Sequence, residues 1–216
     1  MMSVLLTKKR RTQEERSSET KKRLLEASID CLNDLGYIKS GTVEIARRAG
    51  VSRGALVHHY PTKHDLIVAT AEYHWNWIAE EVRTLAMTMH GGHLSMETFI
   101  DNLWSKVFRP RVSNASIEMI IAARTNPELR KELVPMLNRL YRDYDEIWSQ
   151  FFRGSGVSVE RVEMLFDLTI ELLRGMTLQR VLNDDPGYYQ KFLDSWKTIV
   201  AACLNDEKNY NTETKP

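Results

Sequence analysis

Apolar residues recur every three or four positions along almost the whole chain, and no apolar–polar alternation of useful length occurs, so the pattern predicts helices throughout. A first helix is expected from about Ser18 to Leu35, with Leu24, Ser28, Cys31, Leu32 and Leu35 on one face and Gly36 as its stop. A short helix over Thr42–Ala49 ends at Gly50. Ser52 then caps a third helix that ends before Pro61, because proline disfavours helix in the residue ahead of it. Thr62 caps a long fourth helix, about 63–89, whose inward residues include Leu66, Ala69, Tyr73, Trp77 and Val82, and which Gly91 and Gly92 close. Further helices are expected over about 95–109, 113–125, 127–153, 158–182 and 186–204. Two of them carry apolar stripes: Val159, Val162, Phe166, Thr169, Leu173 and Met176 on one, and Tyr189, Phe192, Trp196, Ile199, Val200 and Cys203 on the other. Capping near the second helix falls to Ser40 or Thr42, since Gly41 has no side chain to offer.

The fold class is therefore all-α, with a three-helix N-terminal unit joined by a long helix to a C-terminal bundle. The chain divides into a mobile basic arm (1–17), the three-helix unit (18–64), a larger helical domain (65–205) and a disordered tail (206–216). Composition narrows the class. Of 216 residues, 43% are apolar, enough for a substantial core, yet no stretch of about 18 uncharged apolar residues appears, so no membrane span is expected. Cys31 and Cys203 fit neither a metal spacing nor a disulfide framework, and Cys31 reads as a small core residue. A reducing, cytosolic location is the simplest reading.

The net charge of +1 hides an asymmetry. Residues 1–65 hold 13 Lys and Arg against 8 Asp and Glu, whereas residues 66–216 hold 17 against 21. One basic end is expected when that end meets phosphates. A solvated tail would give the same imbalance, since Lys8, Lys9, Arg10 and Arg11 supply most of it. Those four residues could form a minor-groove arm or a disordered tail.

The stretch from Thr42 to Leu56 places two short helices about three residues apart with glycine at the turn. Ala46 is small where the helices must approach, and Val51 and Leu56 can anchor the second against the first. Such a helix-turn-helix holds a recognition helix rigidly in the major groove. Arg53 can reach guanine O6 and N7 as a bidentate donor, Gly54 and Ala55 let the backbone come near base edges, and Ser52 begins the helix. His58, His59, Tyr60 and Lys63 then project toward a phosphate strand.

The chain resembles the tetracycline-repressor (TetR) family at this point. The residues that carry the resemblance are Arg23-Leu24-Leu25-Glu26-Ala27 with Gly36-Tyr37, Val43-Glu44-Ile45-Ala46, Gly50-Val51-Ser52-Arg53-Gly54-Ala55-Leu56, and His58-His59-Tyr60-Pro61-Thr62-Lys63 with Leu66. They cover about residues 18–68. The resemblance implies a bacterial, cytoplasmic, nucleoid-associated homodimer of about nine helices per chain. It implies double-stranded DNA with a palindromic operator as partner, a small-molecule effector whose binding releases that operator, and no cofactor. Thr42 and Val43 would approach backbone or bases, Arg53, Gly54 and Ala55 would read bases, and His58, His59 and Lys63 would contact phosphates. The last two helices would form the dimer interface, with Phe166, Thr169, Leu173, Phe192, Trp196, Ile199 and Val200 as candidates. Val57 departs from the tyrosine common in the family, so one phosphate contact is lost or passes to His58. Tyr60 stands where phenylalanine is usual.

Other chemistries fare worse. His58 and His59 point about 100° apart on a helix, and His90 and His93 have no Cys or carboxylate neighbours, so no metal site is expected. No phosphate loop, nucleophile elbow or paired-carboxylate pattern suggests an enzyme. The aromatic and methionine content of residues 70–180 serves as a core or lines a pocket for an apolar or aromatic effector. Candidate pocket residues are Trp75, Trp77, Trp104, Phe108, Met119, Tyr141, Tyr144, Trp148, Phe166, Leu173 and Met176, with Arg124 either meeting an acidic group on the ligand or forming a surface ion pair. A dimeric regulator controlled by a protein partner, or by nothing, would share the same DNA-reading end.

Overall fold

The computed structural model describes residues 12–90, 95–152 and 158–213. Among them are nine α-helices, one π-turn and no strand. The helices are α1 (Gln13–Lys39), α2 (Thr42–Ala49), α3 (Arg53–His59), α4 (Lys63–His90), α5 (Met96–Asn102), α6 (Pro110–Thr125), α7 (Pro127–Phe152), α8 (Val159–Arg180) and α9 (Pro186–Glu213), and the π-turn Leu103–Val107 follows α5. No helix among the described residues is long and apolar enough to cross a membrane.

Several ends differ from the sequence expectation, each for a local reason. Helix α1 starts at Gln13 instead of Ser18, because Thr12 and Glu15 form a reciprocal capping box, with Glu15 N–H donating to Thr12 Oγ1 (3.1 Å) and Thr12 N–H to Glu15 Oε2 (2.8 Å). Gly36 breaks the helical path as expected, with φ of 74°, and one further turn follows it to Lys39. The single helix expected over 95–109 is α5 plus the π-turn, closed by Phe108 N–H on the Leu103 carbonyl. Helix α9 runs on to Glu213, through most of the segment read as a disordered tail. The N-cap of α2 is Gly41 with no side-chain bond; neither Ser40 nor Thr42 supplies one, and the Ser40 hydroxyl instead donates back to the Gly36 carbonyl. Lys8 to Arg11 and His93 lie outside the described residues.

Two apolar cores organise the chain. Leu24, Leu25, Ala27 and Cys31 of α1, Ile45, Ala46 and Ala49 of α2, Leu56 of α3 and Leu66 of α4 form the smaller one. The larger fills the bundle and begins with Ile29 and Leu32 of α1 and Ile67 and Ala71 of α4. Neighbouring residues on α1 and α4 thus serve both cores, so the two units are joined by continuous helices. Helix α4 packs against α1, α5, α6 and α7. Contact on so many sides shifts its inward face from the expected one. Ile67, Thr70, Ala71, His74, Trp75 and Ile78 are buried with Leu66 and Val82, while Ala69, Tyr73 and Trp77 are only half-buried.

Candidate nucleic-acid interface and effector cavity

The turn between α2 and α3 depends on one glycine. Gly50 has φ of 62°, the left-handed region that L side chains seldom adopt. The Arg23 guanidinium closes over it, with Nη2 donating to the Ala49 carbonyl and to the Gly50 carbonyl (2.8 Å). A Cβ at Gly50 would sit 2.7 Å from that nitrogen. Ser52 then caps α3, its Oγ accepting from Ala55 N–H at 3.1 Å. Leu56 and Ile45 are fully buried against α1. The pose of α3 is thereby held by a cap, a turn and a small core.

The outer face of this unit is open. Ser52, Arg53, Gly54, Val57 and His58 are exposed, and Val43 is 65% exposed at the start of α2. Thr42, Ala55, His59 and Tyr60 are half-buried, and Tyr60 packs against the smaller core. Burial, followed by the charges of His58 and Lys21, holds His59 below the ordinary histidine value, so it is neutral near pH 7. Lys63 does not project outward. Its Nζ donates to the Tyr37 carbonyl (2.6 Å) and lies 4.3 Å from the centre of the Tyr37 ring. It thus serves the carbonyl end of α1, where a cation satisfies groups the helix leaves unpaired. Arg47 and Arg48, on the same unit, are tied to Glu44, and Arg48 also to Asp34 at 2.5 Å.

Helix α6 connects the two ends of the molecule. On one side Arg111 pairs with Glu26 and Asp30 of α1 at 2.6 Å each, Asn114 donates to Asn33 (3.1 Å), and Glu118 accepts the Tyr37 N–H (2.7 Å). Burial pushes the Glu26 carboxyl up, but hydrogen bonds from Tyr73 and Arg111 outweigh it and leave its pKa lowered. On the other side Ser113, Ser116, Ile117 and Ile120 line a cavity. Residues three and four apart share a helix face, so 111, 114 and 118 form one stripe and 113, 116, 117 and 120 another. His74 of α4 bridges to this helix, its Nε2 lying 3.0 Å from the Val112 carbonyl and 2.9 Å from Ser116 Oγ. Burial pushes its pKa down to about 4.

The cavity holds about 50 Å³ of enclosed space and widens into about 510 Å³ that includes open solvent. Its walls are Trp75 and Ile78 of α4, Val107 at the end of the π-turn and Phe108 just beyond it, Leu137, Leu140 and Tyr144 of α7, and Ile170, Arg174 and Thr177 of α8, facing α6. Of the residues expected to meet a ligand, Trp75, Phe108 and Tyr144 line it. Met119, Leu173 and Met176 belong to the packed core. Trp148 stacks on Phe166 with ring centres 3.4 Å apart, and both meet Phe99 edge-on. Trp104 sits beneath the Arg180 guanidinium at 4.6 Å, and Trp77 beneath Arg109 at 5.7 Å. Arg124 is exposed in an adjoining cleft with Arg130, and that cleft shares Trp75, Ile120 and Leu137 with the cavity. The expectation passed over Arg174. Arg174 sits in an apolar run, Ile170 to Met176, much as Arg124 does, and that was the available signal.

The expected dimer residues need a correction. Phe166, Thr169, Leu173 and Val200 are buried in the protomer's own core, and Trp196 is half-buried, its Nε1–H donating to Thr169 Oγ1 at 2.9 Å. Only Phe192 and Ile199 of that set are exposed. The outward apolar positions are Met164, Leu168, Leu178, Val181 and Leu182 in or just beyond α8, and Tyr188, Phe192 and Ile199 on α9. Among the described residues no group of three or more His, Cys, Asp or Glu could hold a metal ion.

Two family models match the chain: one described as bacterial regulatory proteins, tetR family, over residues 24–70, and one described as tetracyclin repressor-like, C-terminal domain, over residues 95–203. The HTH-type transcriptional regulator CymR of Pseudomonas putida is 27% identical over 195 residues, covering 90% of this chain and 96% of CymR. A solved transcriptional regulator from Pseudomonas aeruginosa PAO1 superimposes with a TM-score of 0.66 at 19% identity, covering 92% of this chain and 99% of that one. A TetR transcriptional regulator from Legionella pneumophila gives 0.67 at 16%, covering 88% and 98%. At these identities the two structures speak for the fold.

Proposed function

We propose that this chain, which belongs to the tetR family of bacterial regulatory proteins, is a homodimeric repressor that leaves a palindromic operator when a small apolar or aromatic molecule fills the cavity beside α6. Its general role follows from the family: it is a DNA-binding transcriptional regulator and not an enzyme. Operator, partner copy, effector and a cytoplasmic place on the nucleoid belong to the proposal.

The observation that carries the release step is the two-sided character of α6. A guest in the cavity meets Ser116, Ile117 and Ile120, while the opposite stripe holds α1 through Arg111, Asn114 and Glu118. Glu118 grips the Tyr37 peptide from the effector domain, and Lys63 grips its carbonyl from α4. A shift of α6 therefore acts on the end of α1, against which α2 and α3 are packed. The effector works by preferring the conformer whose recognition helices no longer match half-sites about 34–36 Å apart.

Base reading is assigned to Arg53, Gly54 and Ala55 on the exposed start of α3, with Ser52, Thr42 and Val43 beside them and His58 toward phosphate. Lys63 is engaged by the Tyr37 carbonyl and Tyr60 packs on the smaller core, while half-buried His59, between the rings of His58 and Tyr60, stays beside His58 toward phosphate. The dimer seam is assigned to the outward stripe Met164, Leu168, Leu178 and Leu182 with Phe192 and Ile199. Gly175 lies on that side with nothing within 4 Å of where a Cβ would be, which permits close helix approach.

Selection of binding sites from random duplex DNA, followed by gel shift with a metabolite panel, tests the reading. A palindromic consensus bound by a dimer and released by at least one small molecule supports it. A monomer that binds a single half-site, or an operator complex untouched by every ligand that enters the cavity, would defeat it.

A further inference from the structure

One polar group in the cavity has no use within the fold. Tyr144 is 3% exposed, and its hydroxyl makes no hydrogen bond to any described residue. It opens on the cavity that its ring helps line. The other hydroxyls of the wall are committed: Ser113 to the Phe108 and Arg109 carbonyls, Ser116 to His74, and Thr177 to the Leu173 carbonyl at 3.0 Å. A hydroxyl that the fold leaves open to a cavity can still donate to a guest there.

Among the described residues Arg174 is the one cation in that wall. Its Nη1 is engaged by Tyr141 Oη (3.0 Å) and Glu171 Oε1 (2.5 Å). A guanidinium has five N–H groups, so those on Nε and Nη2 remain for another acceptor. Arg174 acts electrostatically on the Tyr144 hydroxyl, and burial keeps that hydroxyl protonated, as a donor. Among the described residues no carboxylate lines the cavity. None lines the adjoining cleft, where Arg124 and Arg130 stand instead. The rest of the wall is apolar.

Resting on the reading of this cavity as the effector site, we propose that the effector is a carboxylic acid with an apolar body. It enters between α6 and α7 past Arg124 and Arg130. Its carboxylate accepts hydrogen bonds from Tyr144 Oη and from the unengaged N–H groups of Arg174, and its body lies against Trp75 and Phe108.

The test uses the full-length protein with octanoate, 3-phenylpropanoate and 1-naphthoate, each beside its primary amide and the corresponding amine. Binding is read by calorimetry and by quenching of tryptophan fluorescence. At least one acid is expected to bind about tenfold or more tightly than its amide, with the amine weaker still. Tyr144→Phe, which only removes an unpartnered hydroxyl, should leave the melting temperature unchanged or higher and lower the acid's affinity about tenfold. Arg174→Gln should collapse the preference for acid over amide. An amide or amine that binds as well as its acid, or a preference untouched by both variants, overturns the carboxylate assignment while the cavity remains an effector site. If none of the nine compounds binds, the carboxylate proposal falls, and the effector reading is decided separately by the metabolite panel on the operator complex.

Discussion

The two cores of this protein solve different problems. The smaller one, from Leu24 to Leu66, is closed and made of Leu, Ile, Ala and Cys, and the buried hydroxyl beside it, Ser28, donates to the Leu24 carbonyl. The larger one surrounds a partly empty space and brings polar groups in: His74, Ser113, Thr177 and Arg174 all reach the interior. A unit that reads a rigid duplex gains from having one pose. A unit that responds to a small guest gains from a wall that can change partners. Helices α1 and α4 contribute to both cores, so neither is independent of the other.

Four substitutions press on this contrast. The strongest is Leu56→Ala. Removing a fully buried side chain of the small core should cost about 2–5 kcal/mol. Operator binding should be lost before ligand binding is, as measured by thermal melting beside gel shift and calorimetry. Equal loss of both would mean that the two cores melt as one.

His74 gives the next effect. Its folded value of about 4 lies below an unfolded value near 6.5, so the unfolded chain takes up the proton first. Its contribution to stability is therefore complete above about pH 6.5 and is lost as pH falls toward 4, on the order of 2–3 kcal/mol. Urea unfolding of wild type and His74→Gln across that range should give curves that converge at low pH. Parallel curves would show that the buried imidazole is not what links α4 to α6 under acid.

Arg53→Ala should weaken operator binding by about 1–3 kcal/mol and relax base preference at one position in each half-site. An affinity profile across operator variants identical to that of wild type would remove Arg53 from the base readers. Lys63→Met comes last. Its amino group satisfies the Tyr37 carbonyl, so the variant should melt lower by an amount equivalent to about 1–3 kcal/mol. The slope of log affinity against log salt should stay as it was. A slope shallower by about one unit would return Lys63 to the phosphates.

Much of the small unit could be read in advance because its devices are local. Gly50 and Ser52 act within a few residues of themselves, and the bounds of α2 and α3 follow from them. Lys63 was misplaced because its partners, Tyr37 and Ile38, lie some 25 residues back along the chain. In the bundle, the stripe of α8 was read as one apolar face. The structure divides the helix between an inward side (Phe166, Thr169, Leu173) and an outward side (Met164, Leu168, Leu178), and it was the inward side that had been assigned to the partner copy. Periodicity marks which residues of a helix lie together; it does not say which neighbour they meet when the helix is apolar on two sides.

The amino-acid sequence by itself determined the all-helical class, the helix-turn-helix, and the family, because each rests on spacing, capping and glycine conformation within short stretches of chain. The tertiary structure alone decided that Lys63 turns inward, that Arg174 and not Arg124 reaches the cavity wall, and that α6 holds α1 on one face and an empty space on the other. Those are contacts between residues far apart in the chain, where burial and hydrogen bonding depend on how whole helices are set against one another.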